Sequence, residues 1–203
     1  MKPGSADTLL DIKTQNSKYF LRKRYANKTQ NSKYFLGQRY ANKTQNSKLP
    51  MNYWLMKSEP DVYGIADLER DRETIWDGVR NYQARNFLKS MQLGDLAFFY
   101  HSNTTPLGIV GLMKVAQSTV IDPTQFDSTS NYYDPKSTPE NPRWHTVTVE
   151  FVETFPAMLT LDDLRQTFSP DDLWLVRQGN RLSVMPVPED VATKILRKAR
   201  NSE

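Results

Sequence analysis

The chain has 203 residues, no cysteine, and 27 Lys and Arg against 23 Asp and Glu, a formal charge of +4. Without thiols there are no disulfides, thiolate nucleophiles or Cys-based zinc sites. No apolar run approaches the roughly 18 residues of a membrane-spanning helix, and no signal-peptide core is present, so the sequence predicts a soluble intracellular protein with no membrane partner, cytoplasmic in a bacterium and nuclear in a eukaryote.

The charge is unevenly spread. Residues 1–50 carry eight Lys and three Arg against Asp7 and Asp11, a balance of +9, whereas the remaining 153 residues carry 16 basic and 21 acidic side chains, a balance of −5. Bulk charge therefore does not drive the larger part onto a polyanion, and any nucleic-acid contact there must come from a local patch. The first fifty residues are also a tandem repeat, with Lys-Thr-Gln-Asn-Ser-Lys starting at Lys13, Lys28 and Lys43, a period of 15. A solenoid unit is longer, about 20 to 50 residues, and less polar. The segment reads as a disordered leader, or as a spurious extension ahead of a start at Met51. Two other readings stand beside it. One is a basic arm whose Tyr19, Phe20, Tyr25, Tyr34, Phe35 and Tyr40 interleave with cations to stack on single strands. The other is a transit peptide, against which the repeat argues. Residues 51–203 suffice for one domain with a sizeable core.

Within that domain, residues 53–58 read as a strand stopped by Pro60. A short helix follows over 65–70. A longer one covers 82–91, where Ala84, Phe87, Leu88 and Met91 recur at helical spacing behind Asn81 as N-cap. Gly94-Asp95 turns the chain into a strand over 96–101, paired with the apolar run 108–115. Residues 118–142, rich in Asp, Ser, Thr, Asn and Pro, form a long surface loop of the kind that often carries function. A strand over 144–155 closes at Pro156, and Thr160 caps a helix over 161–168. A strand over 182–187 and a helix over 188–200 follow, the helix with Pro at its first turn and a cationic end. This order predicts an α+β fold built on a mixed, mostly antiparallel β-barrel with surrounding helices.

Trp76-Asp77-Gly78-Val79-Arg80-Asn81 is the most informative stretch. A flat ring beside a carboxylate, a guanidinium and an amide suits a nucleobase turned out of its strand: stacking is base-tolerant, and edge groups read the hydrogen-bonding face. Taken alone, the hexapeptide reads first as a buried core Trp ahead of a turn. Lys57-Ser58-Glu59 ends the first strand, where a carboxylate can accept from an exocyclic amine, and a surface ion pair is an equal reading. His101, at a strand end, can donate or accept at a base edge, although a lone His there is more often a polar rim residue. Gly179-Asn180-Arg181 is a turn that projects Arg181 towards a phosphate or towards one of the many carboxylates.

Five segments stand in order: Tyr53-Trp54-Leu55-Met56-Lys57-Ser58-Glu59-Pro60; the run from Trp76 to Asn86; Phe99-Tyr100-His101-Ser102-Asn103; Pro142-Arg143-Trp144; and residues 177–186. Together they resemble the EVE domain, a PUA-like group related to the YTH readers of methylated adenine and including the thymocyte nuclear protein family. The resemblance runs from about Met51 to about Ala199. It implies the PUA-like barrel and a non-catalytic reader of a modified base, 5-methyl- or 5-hydroxymethylcytosine first, in DNA or RNA. By the same resemblance Trp76 stacks and Glu59, Asp77 and Asn81 read the edge, with Ser58, His101 and Asn180 as further base-binding candidates, while Lys57, Arg80, Arg85 and Arg181 are, by their charge, candidate phosphate contacts. Thr148, where an Asp is usual, Gly64 and the repeat leader depart from the family pattern.

No metal or cofactor is expected, since His101 and His145 are the only histidines and no ligands stand at metal spacing. A monomer is expected, with a nuclease or methyltransferase as candidate associate. Two rival readings remain. A hydrolase akin to the ASCH relatives would use Asp77, Glu59 and His101 as acid and base. A protein-interaction adaptor would ignore oligonucleotides.

Overall fold

The computed structural model describes residues 51–201, and the repeat leader lies outside them. Among the described residues six strands form one sheet in the order β2-β5-β4-β3-β1-β6. They are β1 (Tyr53–Ser58), β2 (Glu73–Ile75), β3 (Leu96–His101), β4 (Gly108–Ile121), β5 (His145–Thr160) and β6 (Val184–Val187). Four helices accompany them: α1 (Ile65–Asp71), α2 (Tyr82–Ser90), α3 (Leu161–Thr167) and α4 (Glu189–Arg200). Only the β1–β3 pair is parallel, and it is reached by a crossover through α1, β2 and α2; the other pairs are antiparallel. The expected α+β class and mostly antiparallel sheet are present. The expected barrel is not: pairing ends at β2 and β6, which leaves the sheet open.

Strand alternation divides the core between the two faces of the sheet. Leu55, Phe98, Leu112 and Met185 pack with α3 and α4 through Leu164, Val191, Ala192 and Ile195. Trp54, Met56, Phe99 and Met113 pack on the opposite face with α1 and α2 through Ile65, Leu68, Ala84 and Leu88. Burial on both faces explains why the sequence of β3, Leu-Ala-Phe-Phe-Tyr-His, is a continuous apolar run rather than an alternating one. At the turn into β3, Asp95 is 3 % exposed and holds three segments together. Its carboxylate accepts from Trp54 Nε1 at 2.9 Å, Gln92 N at 3.0 Å and Asn52 N at 3.2 Å.

The capping residues act as their chemistry predicts. Asn81 Oδ1 accepts from Ala84 N at 3.0 Å at the start of α2. Thr160 and Asp163 form a reciprocal capping box at α3. Pro156, in contrast, does not end its strand. Gly111 pairs with Thr154 and Ile109 with Leu159, so Pro156 falls in a bulged stretch where no ladder donor is required of it. β4 likewise outruns its expected end, continuing six residues past Val115 to Ile121. β2 had no counterpart in the predicted elements: it is a three-residue edge strand with Glu73 and Ile75 exposed.

Candidate nucleic-acid interface

A cavity of about 620 Å³ opens where β1 ends. Its walls come from four places: residues within 57–63 around the end of β1, residues 74–81 from β2 to the N-cap of α2, Ser102 just past β3, and Tyr132, Arg181 and Ser183 from two loops. Trp76 continues the sheet through its backbone, donating N–H to Val147 O at 3.0 Å and accepting at its carbonyl from Thr146 Oγ1. Its ring packs edge-on against Phe99, with centroids 5.3 Å apart at 81°. Trp76 is only 6 % exposed, so it is at once a core residue and an inner wall of the cavity. The core reading of this ring holds, and its place at the cavity leaves a stacking role open to test.

Tyr132 supplies a second aromatic wall. It is 41 % exposed and rests on Gly78, where a Cβ would lie 2.8 Å from the ring. Gly78 also has φ +76°, a left-handed conformation that favours glycine. The loop bearing Tyr132 is tied down at its base. Buried Gln125 donates to Asp122 O at 2.7 Å and Trp144 O at 2.8 Å, and its Oε1 accepts from Arg143 N and Trp144 N at 2.9 and 3.0 Å. Asp122 then links loop to cavity by accepting from Gly78 N at 3.0 Å and from Arg80 Nη1 at 2.7 Å.

Hydrogen-bonding capacity remains at the cavity wall. Asp77 makes no side-chain hydrogen bond among the described residues. Partial loss of water around its carboxyl raises its pKa, and the charge of Asp122 adds to the rise while Arg80 opposes it. Asn81 spends its oxygen on the helix cap but keeps its amide N–H groups. Glu59 Oε2 accepts from Asn103 Nδ2 at 3.0 Å, and Ser58 Oγ donates to Tyr63 O at 2.7 Å.

The EVE domain family model matches residues 52–198. The chain belongs to the EVE domain family. Rat thymocyte nuclear protein 1 is 43 % identical over 157 residues, which cover 68 % of this chain and 70 % of the relative. A crystal structure of a Pseudomonas syringae protein is 48 % identical with a TM-score of 0.69, over 71 % of this chain and 97 % of that one. The human THYN1 protein, solved in complex with 5-methylcytosine-containing DNA, is 38 % identical with a TM-score of 0.68, over 75 % of this chain and 99 % of the other.

In this EVE domain the expected site residues fall into two groups. Trp76, Asp77, Asn81, Ser58, Glu59, Lys57, Arg80 and Arg181 all line the cavity. His101, Asn180 and Arg85 do not. His101 lies behind it, where Nε2 accepts the Ile65 N–H at 3.2 Å, and burial lowers the imidazole pKa. The acid and base set of Asp77, Glu59 and His101 is thus not gathered in one cavity. Asn180 serves its turn, donating to Trp174 O at 2.5 Å and accepting from Leu182 N at 2.9 Å. Arg85 donates to Arg143 O at 2.9 Å and stacks on Tyr82 at 4.8 Å. Arg80, although at the cavity, has every nitrogen engaged: Nε on Tyr132 O at 2.7 Å, Nη1 on Asp122, and Nη2 on Thr124 Oγ1 at 2.8 Å. Tyr132 and Asp122 were not among the residues expected at the site. Their only signal was membership of the long polar loop.

Proposed function

We propose that this EVE domain is a non-catalytic reader of a modified nucleobase, with 5-methylcytosine or 5-hydroxymethylcytosine extruded from DNA or RNA into the 620 Å³ cavity. The observation that carries this reading is the convergence, in that cavity, of two aromatic walls, Trp76 and Tyr132, with two side chains that retain hydrogen-bonding capacity, Asp77 and Asn81. Asp77 accepts from the cytosine N4 amine, and Asn81 Nδ2 donates to O2 or N3 on the same edge. A substituent at C5 meets the apolar side chains of Ile75 or Val79, which also line the cavity. The DNA complex of the human relative supports the ligand class. Glu59 and Ser58 contribute at the mouth, and Arg80 holds the wall rather than the ligand.

The test is a titration of the full chain with labelled oligonucleotides carrying cytosine, 5-methylcytosine, 5-hydroxymethylcytosine, adenine or N6-methyladenine. One modified cytosine is expected to bind at least about tenfold more tightly than cytosine, roughly 1.4 kcal/mol. That preference should disappear in Tyr132→Ala and Asp77→Asn. These variants are better controls than Trp76→Ala, because emptying a buried Trp site costs about 3–5 kcal/mol of stability and would confound binding with unfolding. Equal weak binding of all five oligonucleotides, unchanged by either variant, would sink the reader.

A further inference from the structure

Beside the base cavity lies a second one of about 280 Å³, and the two share Lys57, Ser102 and Arg181 in their walls. Four cations line the second cavity, Lys57, Arg165, Arg177 and Arg181, and no Asp or Glu among the described residues does. In a domain whose balance over residues 51–203 is −5, such a concentration of one sign is a local feature of the fold and not an accident of composition. Lys57 carries the argument further. It is half-buried and in no ion pair among the described residues, and its Nζ lies over the Tyr100 ring, 5.7 Å from the centroid. Burial lowers its pKa, a cost that an incoming anion would remove.

The arginines are free to respond. Arg181 has no hydrogen bond or ion pair among the described residues. Arg165 meets Asp162 at 3.2 Å and Arg177 meets Asp171 at 3.8 Å, and those carboxylates are 81 % and 100 % exposed. Solvated pairs of that kind hold their cations only weakly. Arg177 is additionally steadied by donating Nε to Pro170 O at 2.6 Å and by lying over the Trp174 ring at 4.9 Å, which leaves its other nitrogens available to an anion.

We propose that this second cavity seats a backbone phosphate of the strand whose base enters the first, with Lys57 and Arg181 on the shared wall and Arg165 and Arg177 on the far side. The inference rests on the reader assignment for the identity of the strand, but its chemistry, a phosphodiester held by converging cations, is read by a separate observable. An extruded base leaves its flanking phosphates exposed at the mouth of its pocket, so a strand path through adjoining cavities satisfies both ends of one nucleotide.

The experiment compares the full chain with Arg165→Gln and Arg177→Gln, with Arg70→Gln as charge-matched control because Arg70 lies in neither cavity and pairs with Asp67 and Asp71. Thermal melts verify folding, and Arg165→Gln, which breaks no backbone hydrogen bond, serves if Arg177→Gln does not fold. Each variant should bind modified and unmodified oligonucleotides about tenfold more weakly and leave their affinity ratio unchanged. Each should also flatten the slope of log affinity against log salt by about 0.7 for every single-strand phosphate that is no longer neutralised. Oligonucleotides with uncharged methylphosphonate links flanking the base should show the same weakening on the wild type and no further weakening on the variants. A modified-base preference with an unchanged salt slope in both variants overturns the phosphate seat while leaving the reader intact. A flattened slope without any base preference does the reverse. Displacement by inorganic phosphate that is indifferent to the backbone links assigns the cavity to free phosphate and overturns the strand path.

Discussion

Arg80→Met tests whether the cavity wall is held by a buried ion pair. Asp122 is 1 % exposed, and the Arg80 side chain is 21 % exposed. Met keeps an unbranched stem but loses the guanidinium carbon that lies 5.6 and 5.2 Å from the Tyr132 and Trp144 ring centroids. The substitution therefore removes mainly charge and donors. Breaking a buried pair from one side costs about 3–5 kcal/mol, because a charge remains out of water with nothing opposite it. Three donors stay with Asp122, namely Gly78 N at 3.0 Å, Thr124 N at 2.8 Å and Thr124 Oγ1 at 2.6 Å, which places the loss at the lower end, about 3 kcal/mol. For a domain of this size that is a fall in Tm of roughly 6–12 °C. Urea unfolding followed by Trp fluorescence should show a lower midpoint at unchanged m. Asp122→Asn added to Arg80→Met should cost less than the two separate losses combined. The salt slope of oligonucleotide binding should match the wild type. A loss below about 1 kcal/mol, or a flatter salt slope, would refute the assignment of Arg80 to the scaffold and return it to the phosphate-binding set.

Gly78→Ala sets a left-handed residue and a Cβ 2.8 Å from the Tyr132 ring against each other, so stability should fall by about 1–2 kcal/mol and modified-base affinity should fall with it, as read by melting and anisotropy. Trp54→Phe removes the 2.9 Å hydrogen bond to the buried Asp95 carboxylate and should cost about 1.5–3 kcal/mol in chemical denaturation, with base preference unchanged. The pH dependence follows from His101, whose folded pKa lies below 6.5 because burial disfavours imidazolium. The unfolded chain takes up that proton first, so the contribution of His101 is complete above about pH 6.5 and is lost as pH falls through the folded value. His145 shifts in the same direction, through burial and then the charges of Lys89 and Arg85. Denaturation midpoints measured from pH 7.5 down to 5 should decline, and His101→Gln, which keeps an acceptor for Ile65 N, should flatten that decline.

What was legible in the sequence is what depends on neighbours along the chain. Asn81 and Thr160 cap their helices because a short polar side chain before a helix has an unsatisfied N–H within reach whatever the fold. β3 was legible because burial on both faces demands an unbroken apolar run. β2 was not, since a three-residue edge strand with two exposed side chains has no periodicity to detect. Pro156 misled for a related reason: proline forbids a ladder donor, but whether its position requires one depends on the register of the bulged β4–β5 pair. The open sheet in place of a barrel is of the same kind, because closure is a property of which strands meet at the edges and not of any one strand.

The cations show this limit at its sharpest. Arg80 and Arg181 are equivalent as residue types, both beside a glycine-containing turn, and both were expected on phosphate. Tertiary structure separates them by delivering to Arg80 a carboxylate 42 residues away and a carbonyl 52 residues away, while bringing nothing to Arg181 among the described residues. Nine of the 16 Lys and Arg in residues 51–203 lie in no ion pair among the described residues, so an unmatched cation is ordinary here and burial is what makes one informative. Lys57 is unmatched although partly buried, which folding alone does not reward, and Arg181 is unmatched beside it on the wall common to both cavities. Keeping Lys57 partly buried without a partner costs stability that an apolar side chain in its place would not. The persistence of two uncompensated cations at that junction is what an anionic ligand, bridging the two cavities, would account for.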